Sequence, residues 1–203
     1  MRLLVLGALL ALAAPAAAQQ AGPSFDCARA GSAAETAVCA DPALAAMDRE
    51  LARLYARALA GGGDPTLRAM QRGWIKGRDD CWKSDAGVAA CTRDEYALRI
   101  EELRRGSAAA RQGEGGSTGP FPYVCDGWEP VVSAAFVTVG DPVAVLRWGD
   151  MAAVLPQAPS GSGARYQGPT IAGPAEFWIK GDQATFMPPG SRAGVACRRD
   201  GTG

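Results

Sequence analysis

Residues 160–166 read Ser-Gly-Ser-Gly-Ala-Arg-Tyr, and residues 177–182 read Phe-Trp-Ile-Lys-Gly-Asp. In the first stretch two glycines alternate with two serines, and glycine allows backbone angles that bulkier residues resist. The stretch therefore predicts a tight, protruding loop that carries hydroxyl groups beside a cation and an aromatic ring. Such a loop can enter the cleft of another molecule and bond to acidic groups there. A glycine- and serine-rich turn between two strands is equally compatible with this stretch alone.

The sequence around these two stretches favours short β-strands. Residues 131–139, 143–147 and 151–155 are rich in small and β-branched apolar side chains, and Gly149-Asp150 predicts a hairpin turn. Short strands at this spacing indicate an antiparallel sandwich or barrel. Further strand-like segments occupy residues 164–167, 176–180, 184–187 and 195–198.

Capping signals in the amino-terminal half predict helices. Ser32 and Glu35 have the spacing of a capping box, which predicts a short helix that ends near Cys39. Asp41 followed by Pro42 predicts the start of a longer helix. Its apolar stripe recurs at intervals of three and four residues, at Leu44, Met47, Leu51, Leu54 and Ala58.

Two more helices complete this half. Glycines at 61–63 end the longer helix, and Asp64 with Pro65 begins the next. A later helix is expected over residues 88–104. Such helices with turns between them predict a small antiparallel bundle. The predicted apolar positions are Leu67, Met70, Trp74 and Ile75 in the first of these helices, and Tyr96, Ile100 and Leu103 in the second.

The first residues have the features of a secretory signal. Residues 1–18 combine a positive start at Arg2, a short apolar core and a run of alanines suited to cleavage. The apolar core is too short to span a bilayer. Because the first cysteine is Cys27, no lipid attachment point lies near the cleavage site. We expect a periplasmic or secreted chain, soluble and without membrane insertion, after cleavage near Ala18 and Gln19.

The six cysteines fit an exported protein. An even number in such a chain indicates disulfides, whereas in a cytosolic protein metal binding would be considered first. The local pairings Cys27–Cys39 and Cys81–Cys91 are favoured, although sequence also allows crossed pairings of these four. A Cys125–Cys197 bridge would tie the first strand of the β region to its last. Each bridge stabilises a small domain by about 2–4 kcal/mol.

Composition excludes several classes of function. The chain has no histidine, which removes the usual general base, the common nucleophile pairs and most zinc sites. The acidic pairs Asp79-Asp80 and Glu101-Glu102 point in different directions on a helix and cannot flank one bond. Basic and acidic residues number 21 each, so no basic excess indicates nucleic-acid binding. We therefore expect no enzyme activity, no cofactor, no metal and no nucleic-acid partner.

Residues 106–120 separate the two halves. They are dominated by glycine, serine and alanine and lack apolar periodicity, which predicts a flexible linker. The expected organisation is a signal peptide at 1–18, a helical domain at 19–105, this linker, and a β domain at 121–203.

Several motifs of the carboxyl-terminal half agree, in order, with one family. Tyr123, Val124 and Cys125 open the region, the two stretches quoted first follow, and Cys197 closes it. Over residues 121–199 the chain resembles the MliC/PliC family of periplasmic inhibitors of c-type lysozyme. The resemblance implies a small antiparallel β-barrel.

The amino-terminal half resembles the helical module of LprI-type proteins, also known as DUF1311, which can precede an MliC-like domain. Together the two resemblances imply an α + β fold in two domains, a disulfide-stapled helical bundle followed by a small antiparallel β-barrel. The motifs that carry this second resemblance are Phe25-Asp26-Cys27, Glu35-Thr36-Ala37-Val38-Cys39, the segment 44–55 and the segment 71–81.

The MliC/PliC resemblance implies a function and a site. Ser162 matches the serine that contacts the catalytic carboxyl groups of lysozyme, and Lys180 matches the second key residue of the family. The segment 167–176 is longer than is usual for the family, which bears on the placement of Lys180. The other residues expected to shape or flank the lysozyme-binding loop are Ser160, Gly161, Gly163, Arg165 and Tyr166.

We therefore expect a periplasmic inhibitor that inserts residues 160–166 into the cleft of a host or environmental c-type lysozyme, close to peptidoglycan. The alternative is a non-inhibitory cell-envelope module that binds peptidoglycan or another exported protein. A carboxylate-dependent cell-wall hydrolase is disfavoured, because the chain has no histidine and no convincing acidic pair.

Overall fold

The computed structural model describes residues 22–62 and 65–201. The predicted signal peptide and Asp64 lie outside these residues. The first half is helical, as expected. Its elements are a 3-10 helix at Cys27–Arg29, α1 at Ala33–Ala40, α2 at Pro42–Ala60, α3 at Pro65–Asp79, a second 3-10 helix at Asp80–Lys83, α4 at Val88–Gly106 and α5 at Ala108–Arg111.

The predicted caps begin the first two helices. The Ser32 hydroxyl accepts a hydrogen bond of 3.1 Å from the backbone of Glu35 at the start of α1. The Asp41 carboxylate accepts one of 2.7 Å from Ala43 N–H at the start of α2, where Pro42 is the first helical residue. The capping signals therefore give the correct helix starts.

The apolar stripe of α2 faces α4 and forms the core of the helical half. All five predicted stripe residues are buried, as are Tyr96, Ile100 and Leu103 of α4. The Trp74 ring of α3 packs edge-on against Tyr96, with the ring centroids 5.1 Å apart.

The predicted apolar face of α3 is wrong at two positions. Met70 and Ile75 are 44% and 38% exposed, whereas Gln71 and Arg78 of the same helix are buried. Gln71 accepts a hydrogen bond of 3.0 Å from Arg99, and Arg78 donates one of 3.1 Å to the Tyr96 hydroxyl. Polar side chains can turn inward here because other helices supply their partners.

The second half is a closed barrel in which each strand pairs antiparallel with the next, and the last strand pairs with the first. The predicted strands are present, several of them longer than expected. They are β1 at Ser117–Cys125, β2 at Trp128–Val137, β3 at Val143–Trp148, β4 at Met151–Ala158, β5 at Ala164–Thr170, β6 at Gly173–Lys180, β7 at Gln183–Met187 and β8 at Val195–Arg199.

Successive side chains of each strand point alternately into and out of the barrel. Those that point inward are mainly aromatic and aliphatic and fill the barrel. Phe177 and Phe186 are fully buried, and the Tyr123 ring packs edge-on against Phe177 at 5.1 Å between centroids. The expected α + β fold class, helices followed by an antiparallel barrel, is confirmed.

Two disulfides lie within the helical half and one within the barrel, in the favoured pairing. The pairs are Cys27–Cys39, Cys81–Cys91 and Cys125–Cys197. The last joins directly paired positions of β1 and β8 and so closes the barrel covalently. The crossed pairings that sequence allowed do not occur.

The segment 106–120 differs from the flexible linker that its composition predicts. Part of it is helix α5, and β1 already begins at Ser117. The Ser117 hydroxyl donates a 2.5 Å hydrogen bond to Glu50, and Arg104 donates one of 2.8 Å to the Gly119 carbonyl. Side chains of α2 and α4 thus hold a segment whose own side chains are too small to show apolar periodicity.

The helices and the barrel pack against each other. Val137, Val143 and Val145 point outward from the barrel and are buried in the apolar cluster of the helical half. Glu101 of α4, 1% exposed, accepts hydrogen bonds from Arg105 at 3.0 Å and from Arg147 of β3 at 2.7 Å. The described parts of the two halves therefore share a core, although their status as separate domains stays a prediction.

Candidate functional site

Of the stretch 160–166 that is predicted to protrude, residues 164–166 belong to β5. The loop between β4 and β5 spans residues 159–163. Every residue in it is exposed. Because neighbouring strands are antiparallel, the β6–β7 turn at Gly181 and Asp182 lies at the same end of the barrel. Ala164 also pairs with Ile179 between β5 and β6, so the two stretches singled out in the sequence are adjacent in space.

Hydrogen bonds to one carbonyl group shape this loop. The Ser162 carbonyl accepts from the Ser160 hydroxyl at 2.6 Å and from the Trp178 indole N–H at 2.9 Å. Among the described residues the Ser162 hydroxyl makes no hydrogen bond, and the residue is exposed. The backbone at Ser162 is thus held while its side-chain hydroxyl faces solvent.

Gly163 ends the loop in a conformation that other residues resist. Its φ is +67°, and a Cβ at this position would collide with the Ile179 carbonyl and lie 2.9 Å from the Lys180 side chain. Glycine is required here both for its backbone angle and for its lack of a side chain. The close approach brings Lys180 next to the loop.

Lys180 is exposed and rests on an aromatic ring. Its ammonium nitrogen lies 4.0 Å from the centroid of the Trp178 ring, which is within the range of a cation–π contact. Trp178 therefore contacts both predicted key residues, through its N–H to Ser162 and through its ring to Lys180. The sequence motifs do not single out Trp178 as a contact residue, although its alternation with the buried Phe177 indicates an outward-facing side chain.

The β5–β6 hairpin, which joins the two stretches, extends away from this site. Strands β5 and β6 pair without interruption from Ala164 opposite Ile179 to Thr170 opposite Gly173. Their connection, at Ile171 and Ala172, is therefore at the other end of the barrel. Lengthening the hairpin at that end leaves Lys180 beside Gly163.

Two predicted flanking residues, Arg165 and Tyr166, lie in β5 directly after the loop. Arg165 donates two hydrogen bonds to Glu176, at 2.9 and 2.7 Å, and one of 2.7 Å to Gln167. Tyr166 is 5% exposed in the barrel core, and burial raises the pKa of its hydroxyl. Tyr166 is therefore not available for contact with a partner in this conformation, and its place is at the base of the loop.

A groove of about 540 Å³ continues the surface beyond Lys180. It lies on the outer face of β6, β7 and β8 and is lined by Trp178, Lys180, Thr185 and Arg198, among others.

Each carboxylate of the two acidic pairs forms an ion pair with a nearby basic side chain. Glu101 is bound by two arginines, and Asp79 accepts hydrogen bonds from Arg78 and Ser32. Within residues 22–62 and 65–201, no cluster of three or more metal-binding side chains occurs. In the same residues, no helix is both long and apolar enough to cross a bilayer.

Comparison with known proteins agrees with this architecture. A family model described as lysozyme inhibitor LprI matches residues 27–106. A second, MliC, described as membrane-bound lysozyme-inhibitor of c-type lysozyme, matches residues 123–192. The two matches follow each other in the order that the sequence motifs predict.

The chain is also similar to curated proteins named Lipoprotein LprI. Those of Mycobacterium bovis and Mycobacterium tuberculosis are 33% identical to it over 161 residues, which is 78% of this chain and 76% of each relative. The match covers most of both proteins, so it includes helices and barrel together. The chain belongs to the LprI family, lysozyme inhibitors in which, as here, an MliC domain can follow the helical module.

Proposed function

We propose that this protein is an exported, non-enzymatic inhibitor of c-type lysozyme that inserts the loop at 159–163 into the active-site cleft. One observation carries the proposal. The exposed Ser162 and Lys180 lie at the same end of the barrel, and Trp178 contacts both residues, the Ser162 carbonyl through its N–H and the Lys180 ammonium through its ring. The disulfides are in keeping with export, as is the name lipoprotein of the relatives.

The chemistry of the target matches these two groups. A c-type lysozyme cleaves its substrate with a protonated carboxylic acid and an ionised carboxylate at the base of a cleft. The Ser162 hydroxyl can donate to the carboxylate and accept from the acid, and the Lys180 ammonium can pair with the ionised group. Exclusion of water strengthens such bonds, and loss of one costs about 2–5 kcal/mol.

Preorganisation of the loop favours tight binding. The Ser162 carbonyl is already bonded, and Gly163 closes the loop against β6. A loop that is held before binding loses less conformational freedom on entering the cleft. The same contacts would keep the hydroxyl of Ser162 outermost.

The test is lysis of bacterial cell walls by a c-type lysozyme, with the chain from residue 19 to 203 titrated in. We expect dose-dependent inhibition by the wild type, and at least tenfold weaker inhibition by Ser162→Ala. Ser191→Ala is the matched control, since Ser191 is exposed in the β7–β8 loop at the opposite end of the barrel.

Two results would count against the proposal. Equal inhibition by wild type and Ser162→Ala would show that the loop is not the inhibitory element. No inhibition by the wild-type protein, with its disulfides intact, would favour a non-inhibitory module that binds peptidoglycan or another exported protein.

A further inference from the structure

The loop at 159–163 has a second neighbour, on the side away from Lys180. A concavity of about 630 Å³ lies between helix α4 and the barrel there. Residues from both halves of the chain line it, and they include Arg93, Asp141, Pro142, Gln157 and Ser160. We call this concavity the α4 recess.

Strand order places the α4 recess and Lys180 on opposite flanks of the loop. The loop joins β4 to β5, and Lys180 belongs to β6, the neighbour of β5. Pro142 and Gln157 belong to the β3 and β4 side. A cleft that receives the loop and contacts Lys180 with one wall therefore has its other wall on the side of the α4 recess.

Close packing fixes the helical half at this end of the barrel. A Cβ added at Gly140, in the β2–β3 loop, would collide with the backbone of Ala43 in α2, so the two backbones nearly touch. The bond from Arg147 to Glu101 fastens α4 to β3 as well. Arg93 is therefore held beside the loop by a rigid interface, not by a tether.

Arg93 has a free donor at the edge of the recess. Its side chain is 26% exposed, and its Nε and Nη2 donate to Asp94 at 2.9 and 2.8 Å. Within the described residues, its Nη1 makes no hydrogen bond. A guanidinium can serve a carboxylate or carbonyl oxygen of a partner with this remaining nitrogen.

We propose that Arg93 and the α4 recess receive the wall of the lysozyme cleft opposite the wall that Lys180 meets. The inhibitory surface is then composite, with the loop in the cleft, the barrel on one side and helix α4 on the other. This inference rests on the proposed inhibition of lysozyme and assigns the helical half a part in it. Both halves match family models described as lysozyme inhibitors, and a shared surface accounts for both descriptions.

The test measures the dissociation constant of the full chain, residues 19–203, for a c-type lysozyme. We expect Arg93→Ala to raise it about three- to tenfold, as removal of a contact at the rim of an interface does. Arg68→Ala is the control, because Arg68 is exposed on α3, which packs on other helices. Arg68→Ala removes the same kind of side chain and the same charge at a site remote from the recess.

A second variant keeps the test decisive if Arg93→Ala lowers stability. Gln157 is exposed and lines the recess, so Gln157→Trp fills the recess without removing a buried side chain. We expect it to raise the dissociation constant by at least as much. Thermal unfolding of each variant reports whether the fold is intact.

The outcomes separate this inference from the proposed function. Binding by the wild type and Arg68→Ala, with weaker binding by Ser162→Ala, supports the proposed function. If Arg93→Ala and Gln157→Trp are folded and bind like wild type in that case, only the composite surface is overturned. If the wild type does not bind lysozyme at all, both proposals fail together.

Discussion

Trp178 is the residue on which both proposed contact groups depend. Its indole N–H bonds to the Ser162 carbonyl at 2.9 Å, and its ring lies 4.0 Å from the Lys180 ammonium. The side chain is half-buried on the outer face of β6, whereas its neighbour Phe177 fills the barrel. A change at Trp178 can therefore disturb the site without emptying the core.

We expect Trp178→Leu to weaken inhibition of lysozyme about tenfold, since it removes one hydrogen bond and the aromatic support of Lys180. The barrel should stay folded, with a change in unfolding temperature of a few degrees. The measurement is the inhibition constant, with Trp82→Leu as the control on a 63% exposed tryptophan of the helical half. Inhibition at wild-type strength would show that Trp178 does not organise the site.

The role of an individual site residue can be predicted from the sequence where a motif contains that residue. Ser162 and Lys180 could be singled out because the loop and the following strand have a recognisable pattern. Arg93 could not, because it belongs to the other half of the chain, and no sequence signal reports that α4 packs beside the loop. The motif predicts that Tyr166 shapes or flanks the loop, but alternation along β5 turns its side chain into the core.

Among the elements, the β4–β5 loop depends most on a single backbone conformation. Gly163 has a φ of +67° and no room for a Cβ, whereas Gly161 has open space around it. The two glycines differ in what they tolerate, although they look equivalent in the repeat Ser-Gly-Ser-Gly.

We expect Gly163→Ala to abolish most inhibition, because the loop must change shape to relieve both the clash and the strain. Gly161→Ala should keep more inhibition than Gly163→Ala, because its added Cβ meets nothing within the free chain. Wall lysis in the presence of each variant gives the comparison, and circular dichroism checks that both are folded. Equal inhibition by the two variants would contradict the view that the loop acts in the shape described.

Secondary structure could be predicted where local chemistry decides it, and less well where packing does. The caps at Ser32 and Asp41 begin α1 and α2 as expected, since they act within one turn of helix. The buried face of α3 could not be predicted, because Gln71 and Arg78 turn inward only when Arg99 and Tyr96 of α4 are in place. Contact with α2 and α4 likewise orders the small residues of the segment 106–120.

At the scale of the whole molecule, Glu50 links the helices to the barrel. It is 5% exposed, and Ser117 of β1 donates a hydrogen bond of 2.5 Å to it. Burial alone would raise the pKa of this carboxyl group, but hydrogen bonds from Arg53, Ser117 and the backbone of Gly116 outweigh burial and lower the pKa below 4.5. We therefore expect acid to weaken the contact between the two halves.

The sign of the effect follows from the lowered pKa. The ionised Glu50 stabilises the folded state above its ordinary pKa of 4.5, and this stabilisation is lost as pH falls through the lower, folded-state pKa. We expect the unfolding temperature of the wild type to fall more steeply from pH about 5 to about 3 than that of Glu50→Gln. Glu129→Gln, at an exposed position of β2, is the control. Parallel curves for wild type and Glu50→Gln would refute the linkage.

Competition with a ligand of the lysozyme cleft tests directly whether the loop occupies that cleft. The dissociation constant of the chain from residue 19 to 203 for a c-type lysozyme would be measured at rising concentrations of a chito-oligosaccharide that fills the active site. We predict that the apparent dissociation constant rises in proportion to the oligosaccharide, because the loop and the sugar exclude each other. A dissociation constant that stays unchanged while the cleft is saturated would contradict insertion of the loop.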